Sequence, residues 1–68
     1  MHVKVIELVG ESPTSWQEAV ENAVSEAART IPTITGVEVY NLTANVSDGR
    51  VSKYKANVKI AYAEGAPR

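Results

Sequence analysis

Residues 15–31 read SWQEAVENAVSEAARTI. Trp16, Ala19, Val20, Ala23, Val24, Ala27 and Ile31 recur at spacings of three and four. Gln17, Glu18, Glu21, Asn22, Ser25, Glu26 and Arg29 fall between them. An apolar stripe opposite a polar face marks an amphipathic helix. Its ends are set by the flanks. Pro13 suits a first turn, where its missing N–H leaves no bond unmade. Ser15, followed three residues later by Glu18, matches a capping box, so the helix starts between Ser12 and Ser15. Pro32 disfavours helical backbone in the residue before it, which places the end near Thr30. Much of the stripe is Ala, so this helix can lie close to its partner.

On the N-terminal side, Val3 to Val9 is a β-branched run of strand length closed by Gly10. Val3, Val5 and Val9 share one face, and Ile6 and Leu8 the other. A strand apolar on both faces expects cover on both. On the C-terminal side, Gly36 to Val46 reads as a second strand whose parity changes midway. Val37 and Val39 share one face; Leu42, Ala44 and Val46 share the other, unless a bulge near Asn41 brings the two sets together. Asp48-Gly49 tolerates the positive φ angles of a tight primed turn. The third strand, Val51 to Ala63, sets Tyr54, Ala56, Val58, Ile60 and Tyr62 against Lys53, Lys55, Asn57 and Lys59.

The order is β-α-β-β, an α+β fold. The crossover helix makes the first two strands run the same way, and the hairpin reverses the third. With the third strand in the centre every pairing is antiparallel, giving sheet order 1-3-2. Residues 1–64 form a single domain, and 65–68 a flexible polar tail. The helix covers one face of the sheet. Nothing in the chain covers the other, where some of Ile6, Leu8, Val37 and Val39 are expected.

The chain has 68 residues, no Cys, 44% hydrophobic and 22% charged residues, and a formal net charge of −1. The near-neutral balance argues against a general nucleic-acid binder. No run approaches the length of a membrane span, and the first residues lack an apolar signal core. A compact, cytoplasmic protein is expected. Chains below about 70–80 residues usually need disulfides, a metal or oligomerisation to be stable. Without Cys, and with His2 alone unable to anchor a metal, a homo-oligomer is the expected solution.

Little of the sequence is suited to catalysis. No nucleophile stands with a base, and the glycines are isolated, so no phosphate-cradling loop forms. A non-catalytic protein is expected. Lys53, Lys55 and Lys59 form a basic row that reads as a solvated face that discourages aggregation before it reads as an anion site. Trp16, in register with the apolar stripe, reads as a packing residue rather than a ligand-stacking one. Glu7, Glu38 and Glu64 lie on or beside strands. Ca²⁺ takes several oxygen ligands, so a calcium site built on Glu7 and Glu38 would have to gather others across subunits.

The segment Val3-Lys4-Val5-Ile6-Glu7-Leu8-Val9-Gly10, with Ser12, Ser15-Trp16 and the Ala-rich helix, resembles the dodecins. The likeness continues through Gly36-Val37-Glu38-Val39, the Asp48-Gly49 hairpin and Tyr54 with its alternating strand, and so covers nearly the whole chain. It implies a sheet partly wrapped around one helix, and twelve subunits in a hollow sphere of 23 symmetry. It also implies flavins (riboflavin or FMN) bound in pairs at two-fold contacts, for storage rather than turnover. In that family a Trp of the second strand stacks on the isoalloxazine, and a Gln of the third bonds its edge.

By the same resemblance the ligand-binding positions here are Gly36, Val37, Glu38 and Lys55. Two of them depart from the pattern. Gly36 stands where the stacking Trp belongs, and a Gly has no π-face. Lys55 stands where the Gln belongs, and Lys donates hydrogen bonds but accepts none. Weakened or altered flavin binding is expected. The alternative is a cage that has lost flavin and holds another small molecule or calcium at its subunit contacts.

Overall fold

The computed structural model describes residues 2–64; the expected tail, 65–68, lies outside the described residues. The chain runs β1 (His2–Ser12), α1 (Trp16–Ala28), β2 (Ile34–Ser47) and β3 (Arg50–Glu64). The strands form one antiparallel sheet in the order β1-β3-β2. This is the expected topology. At the hairpin, Asp48 and Gly49 have φ of 54° and 74°, the positive pair that a type I′ turn requires.

The core lies between α1 and the central strand. Ala19, Ala23 and Ala27 of the helix meet Ala56, Val58 and Ile60 of β3, and all six are buried. Ile6, Leu8, Val20, Val24 and Ile34 pack around them. Small helix side chains bring two backbones together, and Gly10 marks the closest approach. A Cβ placed there would overlap the Ala19 carbonyl oxygen and lie 2.9 Å from the Ala23 Cβ. Gly10 therefore does not close the strand, as its sequence suggests; β1 runs on to Ser12 beneath the helix.

Helix α1 is shorter than its apolar period. Its last turn tightens, with the amides of Arg29 and Thr30 donating to Glu26 and Ala27 carbonyls at 3.2 Å, and Pro32 follows. The start is at Ser15, whose hydroxyl accepts from the Glu18 amide at 3.0 Å. Only half of the capping box forms. Glu18 turns its carboxylate to the hydroxyls of Ser12, at 2.5 Å, and Thr14. Ser12 Oγ takes the Ser15 amide in its place, at 3.3 Å.

The two hydroxyls, Ser12 first, hold the Glu18 carboxyl below its ordinary value of 4.5. A depressed folded value stabilises the fold above the unfolded value, and that stability is lost as pH falls through the folded one. Acid titration of the melting temperature should show a fall beginning below about pH 5. In Glu18→Gln the fall should be shallower and begin from a lower plateau. Identical acid limbs would show that the cluster does not carry the effect.

The parity break of β2 is resolved by a bulge. Val39 pairs with Val58 and Asn41 with Asn57, leaving Tyr40 as the extra residue. Val37, Val39, Leu42 and Ala44 thereby all lie opposite helix-facing partners of β3, on one side of the sheet. Further register shifts fall between Ile34 and Gly36 and between Asn45 and Val46.

The exposed apolar residues are not all those expected. Ile6 and Leu8 pack under the helix, so the face of β1 turned away from it carries Val3, Val5 and Val9, all exposed. Val37 and Val39 are exposed for a different reason. They are on the helix side, but α1 lies over β1 and β3 and does not reach them. A helix of 13 residues is about 20 Å long, while the molecule extends 55 Å. Two apolar surfaces therefore stay open, where one was expected.

Candidate functional site on the open face of the sheet

Along β3, Lys53, Lys55, Asn57 and Lys59 alternate with the buried residues and so point away from the helix. Antiparallel partners share a face, which places Glu7, Glu11, Gly36, Glu38 and Thr43 with them through their pairings. Of the four expected ligand positions, Gly36, Glu38 and Lys55 are on this open face. Val37 pairs with Ile60 and lies on the opposite one.

One subunit does not bring these residues together. Gly36 pairs with Ala61, six positions along β3 from Lys55, or about 20 Å at the usual strand rise. The described residues enclose no cavity. Gly36 itself is open, because a Cβ added there meets nothing within 4 Å.

Glu7 and Glu38 both pair with Lys59, one from each side. Their strands are two spacings apart, about 10 Å, with an ammonium-bearing residue between. Among the described residues, no three His, Cys, Asp or Glu side chains are grouped to hold a metal ion. A cation between these carboxylates would need oxygen ligands from another copy.

Tyr40 was absent from the sequence-based candidates. The bulge turns it onto the open face, where its hydroxyl donates to Glu7 Oε1 at 3.3 Å. The Lys59 ammonium lies 5.2 Å from its ring centroid, within cation–π range. The phenol is pushed above its ordinary value of 10.0, first by loss of surrounding water and then by the charge and hydrogen bond of Glu7. The signal for it lay in the parity break, since a bulge sets two successive side chains on one face.

The other candidates have structural partners. Lys53 Nζ is 3.2 Å from Glu11. Trp16 donates from Nε1 to the Thr43 carbonyl at 2.8 Å and meets Tyr54 edge-on, with centroids 4.9 Å apart. It ties the start of α1 to β2 and β3, the packing role expected of it.

The family model for dodecins matches residues 3–64. A search of curated protein sequences returns no match. Among solved structures, dodecin from Streptomyces coelicolor is 30% identical, with a TM-score of 0.90, over 96% of this chain and 94% of that one. Dodecin from Streptomyces davaonensis is 22% identical, with a TM-score of 0.91, over 96% of each chain. A Mycobacterium tuberculosis protein is 26% identical, with a TM-score of 0.84, over 100% of this chain and 97% of that one. It is described as a calcium-chelating antigen, calcium dodecin, with a calcium-binding site.

Proposed function

The chain belongs to the dodecin family, and we propose that it forms a non-catalytic, hollow, cytoplasmic dodecamer that binds or stores a small planar ligand where subunits meet. The ligand class is a flavin, riboflavin or FMN. One observation carries this reading. Gly36, Glu38 and Lys55 lie on an open sheet face, and the described residues enclose no cavity there, so a pocket needs a second copy to close over them. Small-molecule sites bury most of their ligand, and a flat strand surface alone cannot.

Affinity should be lower than in a site with a stacking Trp. An aromatic pair contributes about 0.5–1.5 kcal/mol beyond burial. Its loss on both sides of a ligand pair costs about one to two orders of magnitude. Lys55 restricts the ligand edge to acceptors, a carbonyl or a phosphate.

A second reading has its own support. The Mycobacterium tuberculosis relative is described as calcium-chelating, and Glu7 and Glu38 are carboxylates on the open face. In this reading the cage holds calcium through those groups, with further oxygens from a neighbouring subunit.

Both readings are tested on the assembled protein. Light scattering should give a mass twelve times the 7.3 kDa subunit. Riboflavin and FMN fluorescence should be quenched at micromolar protein. Unchanged flavin fluorescence together with heat of calcium binding would move the conclusion to the second reading. A stable 7.3 kDa monomer would overturn both.

A further inference from the structure

We infer that Tyr40, flanked by Lys59, is this chain's own stacking platform for a planar heteroaromatic ligand, in place of an aromatic at Gly36. The inference rests on the flavin reading above and deepens it by naming the contact residue.

The chain has four aromatic residues, and each of the other three is placed elsewhere. Trp16 is held by Tyr54 and by the Thr43 carbonyl. Tyr54 and Tyr62 alternate with the open-face lysines and so point to the helix side. Tyr40 shares the open face with Gly36, four residues along the same strand, and is 48% exposed.

Its ring is also held in a useful attitude. Tyr40 is on β2 and Glu7 on β1, with β3 between them. A side chain that crosses a strand to reach its partner lies along the sheet, and here the Lys59 ammonium sits over its ring, 5.2 Å from the centroid. Tethered at its hydroxyl by Glu7, it has little rotamer freedom left to lose when a ligand stacks. The hydroxyl donates to a carboxylate, which enriches the ring in electrons and favours an electron-poor partner. The Lys59 ammonium, displaced from over the ring by a stacking ligand, offers a donor to a carbonyl or phosphate on the ligand edge. An isoalloxazine has both features.

The test is riboflavin fluorescence titration of the assembled wild type, Tyr40→Leu, Tyr40→Phe and Tyr40→Trp at equal subunit concentration. Tyr40→Leu should weaken binding about three- to tenfold, the effect of one aromatic pair. Tyr40→Phe keeps the ring but loses the Glu7 tether, so it should fall between Tyr40→Leu and wild type, and Tyr40→Trp should bind more tightly. If Tyr40→Leu assembles and binds like wild type, the inference is overturned while the flavin reading stands. If Tyr40→Leu fails to assemble, Tyr40→Trp decides: unchanged or weaker binding overturns the inference. Should wild type leave riboflavin unquenched while Gly36→Trp quenches it, Tyr40 does not stack and the cage still accepts flavin. If neither quenches, the flavin reading falls with the inference.

Discussion

Gly10→Ala should lower the melting temperature by about 10–20 °C, or prevent folding. The new methyl would overlap the carbonyl oxygen of Ala19 and crowd the Ala23 Cβ. Both obstacles are fixed, one in the helix backbone and one directly attached to it. The helix must lift from β1 and β3, and the six-residue core of Ala19, Ala23, Ala27, Ala56, Val58 and Ile60 opens with it. Overpacking typically costs about 1–3 kcal/mol, occasionally more. In a domain of this size each kcal/mol moves the midpoint by about 4–8 °C. Because assembly makes the midpoint depend on concentration, variants must be compared at one subunit concentration. Gly36→Ala is the internal control. It has open space around its Cβ, so its midpoint should hold or rise by a few degrees. A Gly10→Ala protein that melts with wild type would mean that the helix does not sit on Gly10.

Gly36→Trp should tighten flavin binding by about ten- to a hundredfold and deepen fluorescence quenching. The backbone there is not left-handed and the Cβ is unobstructed, so an indole can be added without moving the subunit's own backbone. Aromatic residues also suit a pleated strand. Each restored stacking contact contributes about 0.5–1.5 kcal/mol. A ligand pair bounded by two such rings therefore recovers the one to two orders of magnitude assigned to the missing Trp. Competitive titration of riboflavin against FMN on wild type and variant measures it. An unchanged dissociation constant, with assembly intact, would show that the ligand does not lie over Gly36. The paired results from Gly36→Trp and the Tyr40 variants separate two locations four residues apart on one strand.

The fold was legible because its signals are local. A 3.6-residue apolar period, Ser15 at the helix start, Pro32 after its end and Asp48-Gly49 at the hairpin each act through nearest neighbours. The order β-α-β-β then leaves one arrangement in which all strands pair antiparallel. The candidate site was legible only in part. Gly36, Glu38 and Lys55 could be assigned by resemblance, and the alternation of β2 and β3 places all three on the open face. Tyr40 was missed because a bulge decides its face, and the sequence marked only that parity broke near Asn41. Ile6 and Leu8 were expected among the uncovered residues because each face of β1 carries apolar side chains. Which face the helix takes depends on where its backbone can approach.

By itself the sequence determined the elements, their order, and that so small a chain leaves apolar sheet surface to be covered. Those follow from periodicity, turn chemistry and surface-to-volume scaling, which need no coordinates. Only the tertiary structure decided which residues stay open. Gly10 lets α1 settle over β1 and β3, which buries Ile6 and Leu8 and leaves Val3, Val5 and Val9 on the far face. The same placement leaves Val37 and Val39 uncovered on β2, to the side of the helix, and the bulge swings Tyr40 onto the face it shares with Gly36 and Lys55. These outcomes depend on contacts between residues far apart in sequence, whose distances no local pattern encodes.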